Sequence, residues 1–488
     1  MRKRIITFGL FFFALFCLPM AGQESSPLRV VRGKADTVYA SRHYVVGVAK
    51  PGSLITINGE SVKQYKTGGF GTALNLKKGA NKVSVKAVVE GKEFSEEFSV
   101  FYKEEKIIAK TVRPVVDHGV VVSTIEGAYF NSSAGTDRLG GAKINYLAEG
   151  IKMKLLDSIN NLYKVKLSEN RYSYIPKHLV KKEAYGTLVP LSITSSMSVY
   201  SVGAFDVVRV ALEGRHPYIA YRELAPNRIV VDIYGAFGNS NWLTHYLDLK
   251  IVDYVECRQS DSDIFSVIIY LKERYTWGYS VDYSGNSLSI SVKHAPEPEF
   301  KNLVIGIDAG HGGGANGAVS ITGAKEKELN LDMAYILKEE FEKRGAKVVM
   351  ARSNDKDVSM QERIDFYRAE RANFVLSVHC NAGGSPLDRM GASTYYKYIE
   401  NRALAESILV RILELAGVKN FGLVGNFNFS LSSHTDMPVV LVETMFLSSL
   451  PDEEMILDPG FRKEMMLKVV KGVDDYLGKV RESRKDEK

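Results

Sequence analysis

The sequence predicts a multidomain protein in which N-terminal all-β modules precede an α/β domain with a mostly parallel sheet covered by helices on both faces. Three observations carry this expectation. The chain has 488 residues, enough for roughly three or four domains of ordinary size. From Leu28 to Val292, short runs of alternating apolar and polar residues are broken by glycine-rich turns, the pattern of half-buried antiparallel strands. After Lys301, short apolar runs interleave with longer stretches of helical period, which implies parallel strands joined by covering helices.

The chain opens with "MRKR", then the apolar "IITFGLFFFALFC", then the small and polar "LPMAGQESS". An apolar core of roughly a dozen residues is short for a bilayer span and fits a cleaved secretory signal over 1–22. A retained anchor is the competing reading. Phe16 before Cys17 fits a lipoprotein site poorly, and no later segment looks transmembrane. The expected location is outside the cytoplasm, in the periplasm or cell envelope. Beyond the signal only Cys257 and Cys380 remain; they fall in different predicted domains, so ordinary cores rather than a disulfide must hold the fold. The net charge of +7 is mild and dispersed. Without an arginine-rich block or an aromatic-interleaved basic stripe, it argues against nucleic acid.

Three β-modules are expected. The first, 27–104, contains "SLITING" and "NKVSVKAVV" with turns at "KTGGFG" and "KKGAN"; it resembles bacterial immunoglobulin-like domains. The second, 105–184, carries short strands in "KINYLAEGIKMKLLDSINNLYKVKLSENRYSYIPKHLV" and looks like a bacterial Src-homology-type barrel. The third, 185–295, holds "NRIVVDIYGA" and "WGYSV…NSLSISV" and is similar to AMIN domains, a likeness that implies binding of peptidoglycan or another envelope polymer. A β-sandwich spacer is the alternative. A proline-rich linker, 296–300, leads to the last domain, 301–480.

In that domain "LVIGIDA" reads as a buried strand. "KELNLDMAYILKEEFEKRG" then puts Leu329, Met333, Ile336, Leu337 and Phe341 on one helical face. "AKVVMA" is a strand, and "SMQERIDFYRAER" a helix opened by a Ser359–Glu362 capping box. "NFVLSVH" is a third strand, "ENRALAESILVRILELAG" a helix closed by Gly417, "MPVVLVETMF" a strand, and "FRKEMMLKVVKGVDDYLG" the final helix.

Sites on such sheets form beyond the carboxyl ends of the strands. His311 follows the first strand, His379 ends the third, Glu443 lies toward the end of "VVLVE", and Glu326 begins the first long helix, so all four are expected to converge on one rim. Two neutral imidazoles and a carboxylate are a donor set that zinc takes in hydrolytic sites, with a position left for water; a second carboxylate suits a general base. The glycines around His311 permit a sharp turn and keep bulk away from the metal. "GHGGGANG" lacks the lysine and hydroxyl of a P-loop, which counts against nucleotide.

The separated motifs "VIGIDAGHGG", "NGAVS", "GAKEKELNLDMAY", "SMQERIDFYRAERANFVLSVHCNA" and the late glutamate resemble, in order, the zinc-dependent N-acetylmuramoyl-L-alanine amidases over about Val304 to Leu477. Carried over position by position, the resemblance makes His311, Glu326 and His379 the zinc ligands and Glu443 the catalytic carboxylate. It implies hydrolysis of the amide between N-acetylmuramic acid and the L-alanine of the stem peptide, with peptidoglycan as the partner. Other envelope proteins are candidate partners through the β-modules. A different zinc peptidase of the stem peptide, or a non-catalytic wall-binding scaffold, are the alternatives. Ala309 stands where the family usually has proline, and "GGGANGA" replaces "GGKDPGA"; neither change touches a ligand. Glu328 competes with Glu326, and spacing and family favour Glu326. Arg352 and Arg363 are expected either to hold a substrate carboxylate or to pair at the surface. Cys380 should point away from His379 across the strand. His434 is expected to be a loop histidine, Asn381 to steady the loop after His379. No spare helical insertion separates His379 from Glu443, so an open site is expected.

Overall fold

The computed structural model describes residues 26–104, 119–135 and 141–486. The expected signal segment at 1–22, with Cys17, lies outside the described residues, as do 105–118 at the start of the second β-module.

Alternation becomes burial directly in the first module. Along Gly79–Val89, Val83, Val85, Ala87 and Val89 are buried and the residues between them are not, as a period of two requires. That strand lies in a five-stranded sheet. A three-stranded sheet of Leu28–Arg32, Arg42–Ala49 and Gly69–Asn75 supplies Leu28, Val45 and Phe70 to the same core. The second module is one seven-stranded antiparallel sheet between Val121 and Lys182. The third has a five-stranded sheet that includes Met197–Val202 and Ser287–Lys293. Its four-stranded sheet includes Tyr218–Leu224 and Ile264–Leu271. The second and third modules share one continuous apolar cluster, from Val122 and Phe130 through Tyr218 to Ile290.

The C-terminal domain runs β1 (Val304–Ala309), α1 (Glu326–Lys343), β2 (Lys347–Val349), α2 (Met360–Ala369), β3 (Phe374–Asn381), β4 (Ala392–Tyr395), α3 (Arg402–Ile412), β5 (Asn420–Val424), β6 (Val439–Phe446), α4 (Leu450–Ile456) and α5 (Pro459–Asp486). The sheet order is β2-β1-β3-β6-β4-β5. Every neighbouring pair is parallel except β4 with β6. One face packs Ile305, Ile307, Leu376, Val378, Val440 and Val442 against α1, α3 and α5. The other packs Val375 and Val439 against Ile364 and Tyr367 of α2. On α1, Leu329, Met333, Leu337 and Phe341 are buried and Ile336 is partly buried against them.

Four elements depart from the sequence expectation. The third helix ends at Ile412 rather than Gly417. Gly417, at φ +81°, ends the turn that follows. The short strands β4 and β5 and the helix α4 were not anticipated. Their apolar runs are brief, and β5 is interrupted by Gly422, so no period identifies them.

The β-modules pack against this domain. Val46 of the first module meets Ile321, which lies between His311 and Glu326 in the chain, and Leu450 of α4. Trp277 of the third joins the core under α5, with its ring 6.5 Å from that of Tyr476. No helix among the described residues is long and apolar enough to cross a membrane.

The capping box of α2 is formed on both sides. Ser359 N donates to Glu362 Oε2 at 2.7 Å, and Glu362 N donates to Ser359 Oγ at 3.3 Å. Ser359→Ala removes one of these bonds and is expected to cost about 1 kcal/mol, read as a shift of the chemical-denaturation midpoint at unchanged slope.

Candidate metal centre

β1 ends at Ala309 and the chain turns at once, with His311 in the left-handed region at φ +61°. Glu326 is the first residue of α1, and His379 lies one residue before the last two of β3. The three side chains meet. His311 Nε2 is 3.2 Å from Glu326 Oε2, His379 Nδ1 is 2.9 Å from Glu326 Oε1, and the two imidazole rings are 4.9 Å apart. All three donor atoms lie within 4.8 Å of one another. Ligand atoms bonded at about 2.0–2.1 Å around a tetrahedral ion sit about 3.3 Å apart, so the histidine–glutamate spacings already match a shared cation.

Glu443 faces the same place. It is the register partner of His379 on the adjacent parallel strand, so the two side chains leave the same face of the sheet. Its charge, with that of Glu326, acts on His379. Burial pushes that imidazole down, and the hydrogen bond to Glu326 and the two carboxylates push it up and prevail. Burial likewise pushes the Glu326 carboxyl up, but the hydrogen bonds from His311 and His379 outweigh it and hold the group well below the usual carboxylate range. A buried carboxylate kept ionised between two imidazoles, with a second carboxylate beside them, is a field that a divalent cation satisfies.

Two glycines make the approach possible. A Cβ on Gly310 would stand 2.2 Å from Cε1 and Nε2 of His379, and one on Gly317, at φ +69°, would stand 2.4 Å from Glu326 Oε2. The site opens into a cleft of about 610 Å³ lined by His311, His379, Met360, Arg363 and Phe429. The intervening helix α3 packs on α5. The loop 425–438 places Phe429 at the cleft wall, its ring 6.0 Å from that of His379.

A family model described as N-acetylmuramoyl-L-alanine amidase matches residues 305–475, which contain all four of these side chains. The C-terminal domain belongs to that amidase family. The chain is 32% identical over 200 residues to N-acetylmuramoyl-L-alanine amidase LytC of Bacillus subtilis, a match that spans 39% of each protein. It is 25% identical over 405 residues to N-acetylmuramoyl-L-alanine amidase AmiC of Neisseria meningitidis, covering 62% of this chain and 97% of that one. The solved catalytic domain of CwlV from Bacillus (Paenibacillus) polymyxa var. colistinus is 30% identical, with 36% of this chain and 98% of that one aligned at a TM-score of 0.34.

Within the amidase domain, both arginines singled out in the sequence are buried. Arg352, 1% exposed, donates to the carbonyls of Ala309 (2.8 Å), Gly310 (2.9 Å), Lys327 (2.8 Å) and Asn354 (3.2 Å). Arg363 pairs with buried Asp308 at 2.5 Å and donates to the carbonyls of Ala309 (2.9 Å), His311 (2.7 Å) and Val358 (3.1 Å). Surface pairing, one of the two expectations, does not occur. Glu328 is exposed and lies toward Lys325. Cys380 points into the core, its Sγ 3.4 Å from Thr444 Oγ1. Asn381 donates to the Tyr395 hydroxyl at 2.9 Å. His434 stacks on Tyr146 of the second β-module rather than lining the cleft.

Two residues of this site were missed in the sequence. Asn330, fully buried, donates to Glu326 Oε1 and to the Gly310 carbonyl, each at 3.2 Å. Its spacing four residues from Glu326 on one helix face was the available signal. Lys327 bridges the Gly313 carbonyl and Asp355, both at 2.7 Å, and had no such signal.

Two outcomes follow. Gly310→Ala should displace the His379 ring and weaken divalent-metal uptake in a calorimetric titration, while the thermal transition persists. Asp308→Ala leaves the Arg363 charge buried without its partner and should cost about 3–5 kcal/mol in denaturant unfolding.

Proposed function

We propose that the chain is a zinc-dependent peptidoglycan hydrolase that cleaves the amide joining the lactyl group of N-acetylmuramic acid to the L-alanine of the stem peptide. The observation that carries this reading is the convergence of His311, Glu326 and His379 on one point, with Glu443 beside His379 on the neighbouring strand. The amidase family of the domain and its likeness to proteins named N-acetylmuramoyl-L-alanine amidase support the substrate. The chain spans only 39% of LytC, so the activity of the whole protein rests on this proposal.

His311, Glu326 and His379 would hold zinc, which supplies polarisation of the scissile carbonyl and a more acidic water. Glu443 takes the proton of the attacking water as the oxygen adds to the carbonyl carbon. It then hands a proton to the departing nitrogen as the C–N bond breaks, leaving a lactyl carboxylic acid and a free amine. Arg352 and Arg363 are assigned to hold the carbonyls around His311 rather than a substrate carboxylate, because their donors are already directed there. The β-modules would hold the exported enzyme at the envelope polymer.

Mass analysis of muropeptides after digestion tests the bond assignment. Free glycan strands and intact stem peptides are expected; trimmed stem peptides would mean a peptidase instead. Glu443→Gln should lower turnover by about two to four orders of magnitude with bound zinc unchanged, whereas His311→Ala should lose the zinc.

A further inference from the structure

The loop 425–438, which carries Phe429 to the metal centre, is held from outside the amidase domain. Asn428 is gripped in both directions by the second β-module: its Nδ2 donates to the Gly141 carbonyl at 2.6 Å, and its Oδ1 accepts from Lys143 N at 3.4 Å. Lys143 Nζ also reaches Ser430 Oγ at 3.4 Å. Six residues after Asn428, the His434 ring lies parallel to that of Tyr146, 4.1 Å away and tilted by 11°. The third module closes the far end. Tyr279 N donates to the Thr435 carbonyl at 2.9 Å, and Thr435 Oγ1 donates to the Tyr279 carbonyl at 2.7 Å.

Phe429 sits between these grips. One side of its ring joins the apolar cluster under α2, and the cleft edge faces His379. A loop on the surface of an isolated domain samples several positions. Here both flanks of Phe429 are tied to the sheet of the second module, with Lys143 and Asn428 at a separation of 285, and Thr435 is tied to the third module at a separation of 156.

We propose that the second β-module is a positioning element of the amidase cleft: through Asn428 and the Tyr146–His434 stack it sets Phe429 as the apolar wall beside His379 against which the substrate is held. This rests on the amidase reading given above. It adds to the polymer-binding role of the β-modules a direct effect on how substrate sits at the metal.

A double-mutant cycle in the full-length protein tests it, with soluble muropeptides that present the scissile amide without an extended wall. Asn428→Ala and Phe429→Ala should each lower kcat/KM by roughly ten- to a hundredfold, the scale of a small misplacement at a reacting centre, chiefly through KM and with bound zinc unchanged. The pair combined should lose no more than Phe429→Ala alone, because one residue acts through the other. Tyr146→Ala should behave like Asn428→Ala, and Tyr146→Phe, which keeps the stacked ring, should restore KM. Thermal unfolding of each variant separates misfolding from mispositioning. Fully additive losses, or an unchanged KM for Asn428→Ala and Tyr146→Ala, would overturn the inference. Absence of amide cleavage by the unaltered protein would instead overturn the amidase reading.

Discussion

One buried carboxylate organises the centre. Glu326 is 3% exposed, and an ion taken so far from water costs several kcal/mol unless its lone pairs are met. They are met by five groups. Oε2 accepts from Ala318 N at 2.6 Å and faces His311, while Oε1 accepts from Cys380 N at 3.1 Å, from Asn330 and from His379. The carboxylate also opens α1, where the helix dipole favours negative charge. The donors come from the His311 loop, α1 and β3, so the ionised group exists only when these elements are in register.

The loop after β1 raises the opposite problem. Its glycines are entropically costly to order, and its carbonyls have no strand or helix to accept into. Arg352 and Arg363 resolve this by capping the carbonyls of residues 309–311 from two sides. Asp308, buried at the end of β1 and held by Ser377 Oγ at 2.6 Å, anchors Arg363 in turn. A guanidinium presents several donors in a fixed plane, which suits it to a row of carbonyls more than to one. The loop at the candidate metal centre is therefore held by cations whose donors are spent on its own backbone.

Around this core the β-modules do not behave as beads on a string. The first packs apolar side chains against the segment that links two of the converging residues, and the second and third share a core with each other and grip the loop at the cleft wall. Interfaces of this kind couple domain placement to site geometry. The residues that line the cleft all lie within the amidase family match, while chain outside that match holds the loop that carries Phe429.

Much of this was legible in the residues alone. Periodicity distinguishes the alternating strands before Val292 from the helical faces after Lys301, because side-chain spacing follows directly from backbone geometry. The rim residues His311, Glu326, His379 and Glu443 could be placed because strand ends and helix starts share one edge in an α/β sheet. Short elements such as β4 and β5 were not visible, since a few residues carry no period. The roles of Arg352, Arg363, Asn428 and Tyr146 were also hidden. What a guanidinium donates to, or which ring stacks on His434, depends on segments brought together over hundreds of residues. The sequence by itself determined which groups could do the chemistry and on which edge of the sheet they stand; only the tertiary structure decided what holds them there, because desolvation and hydrogen-bond partners are properties of the packed chain.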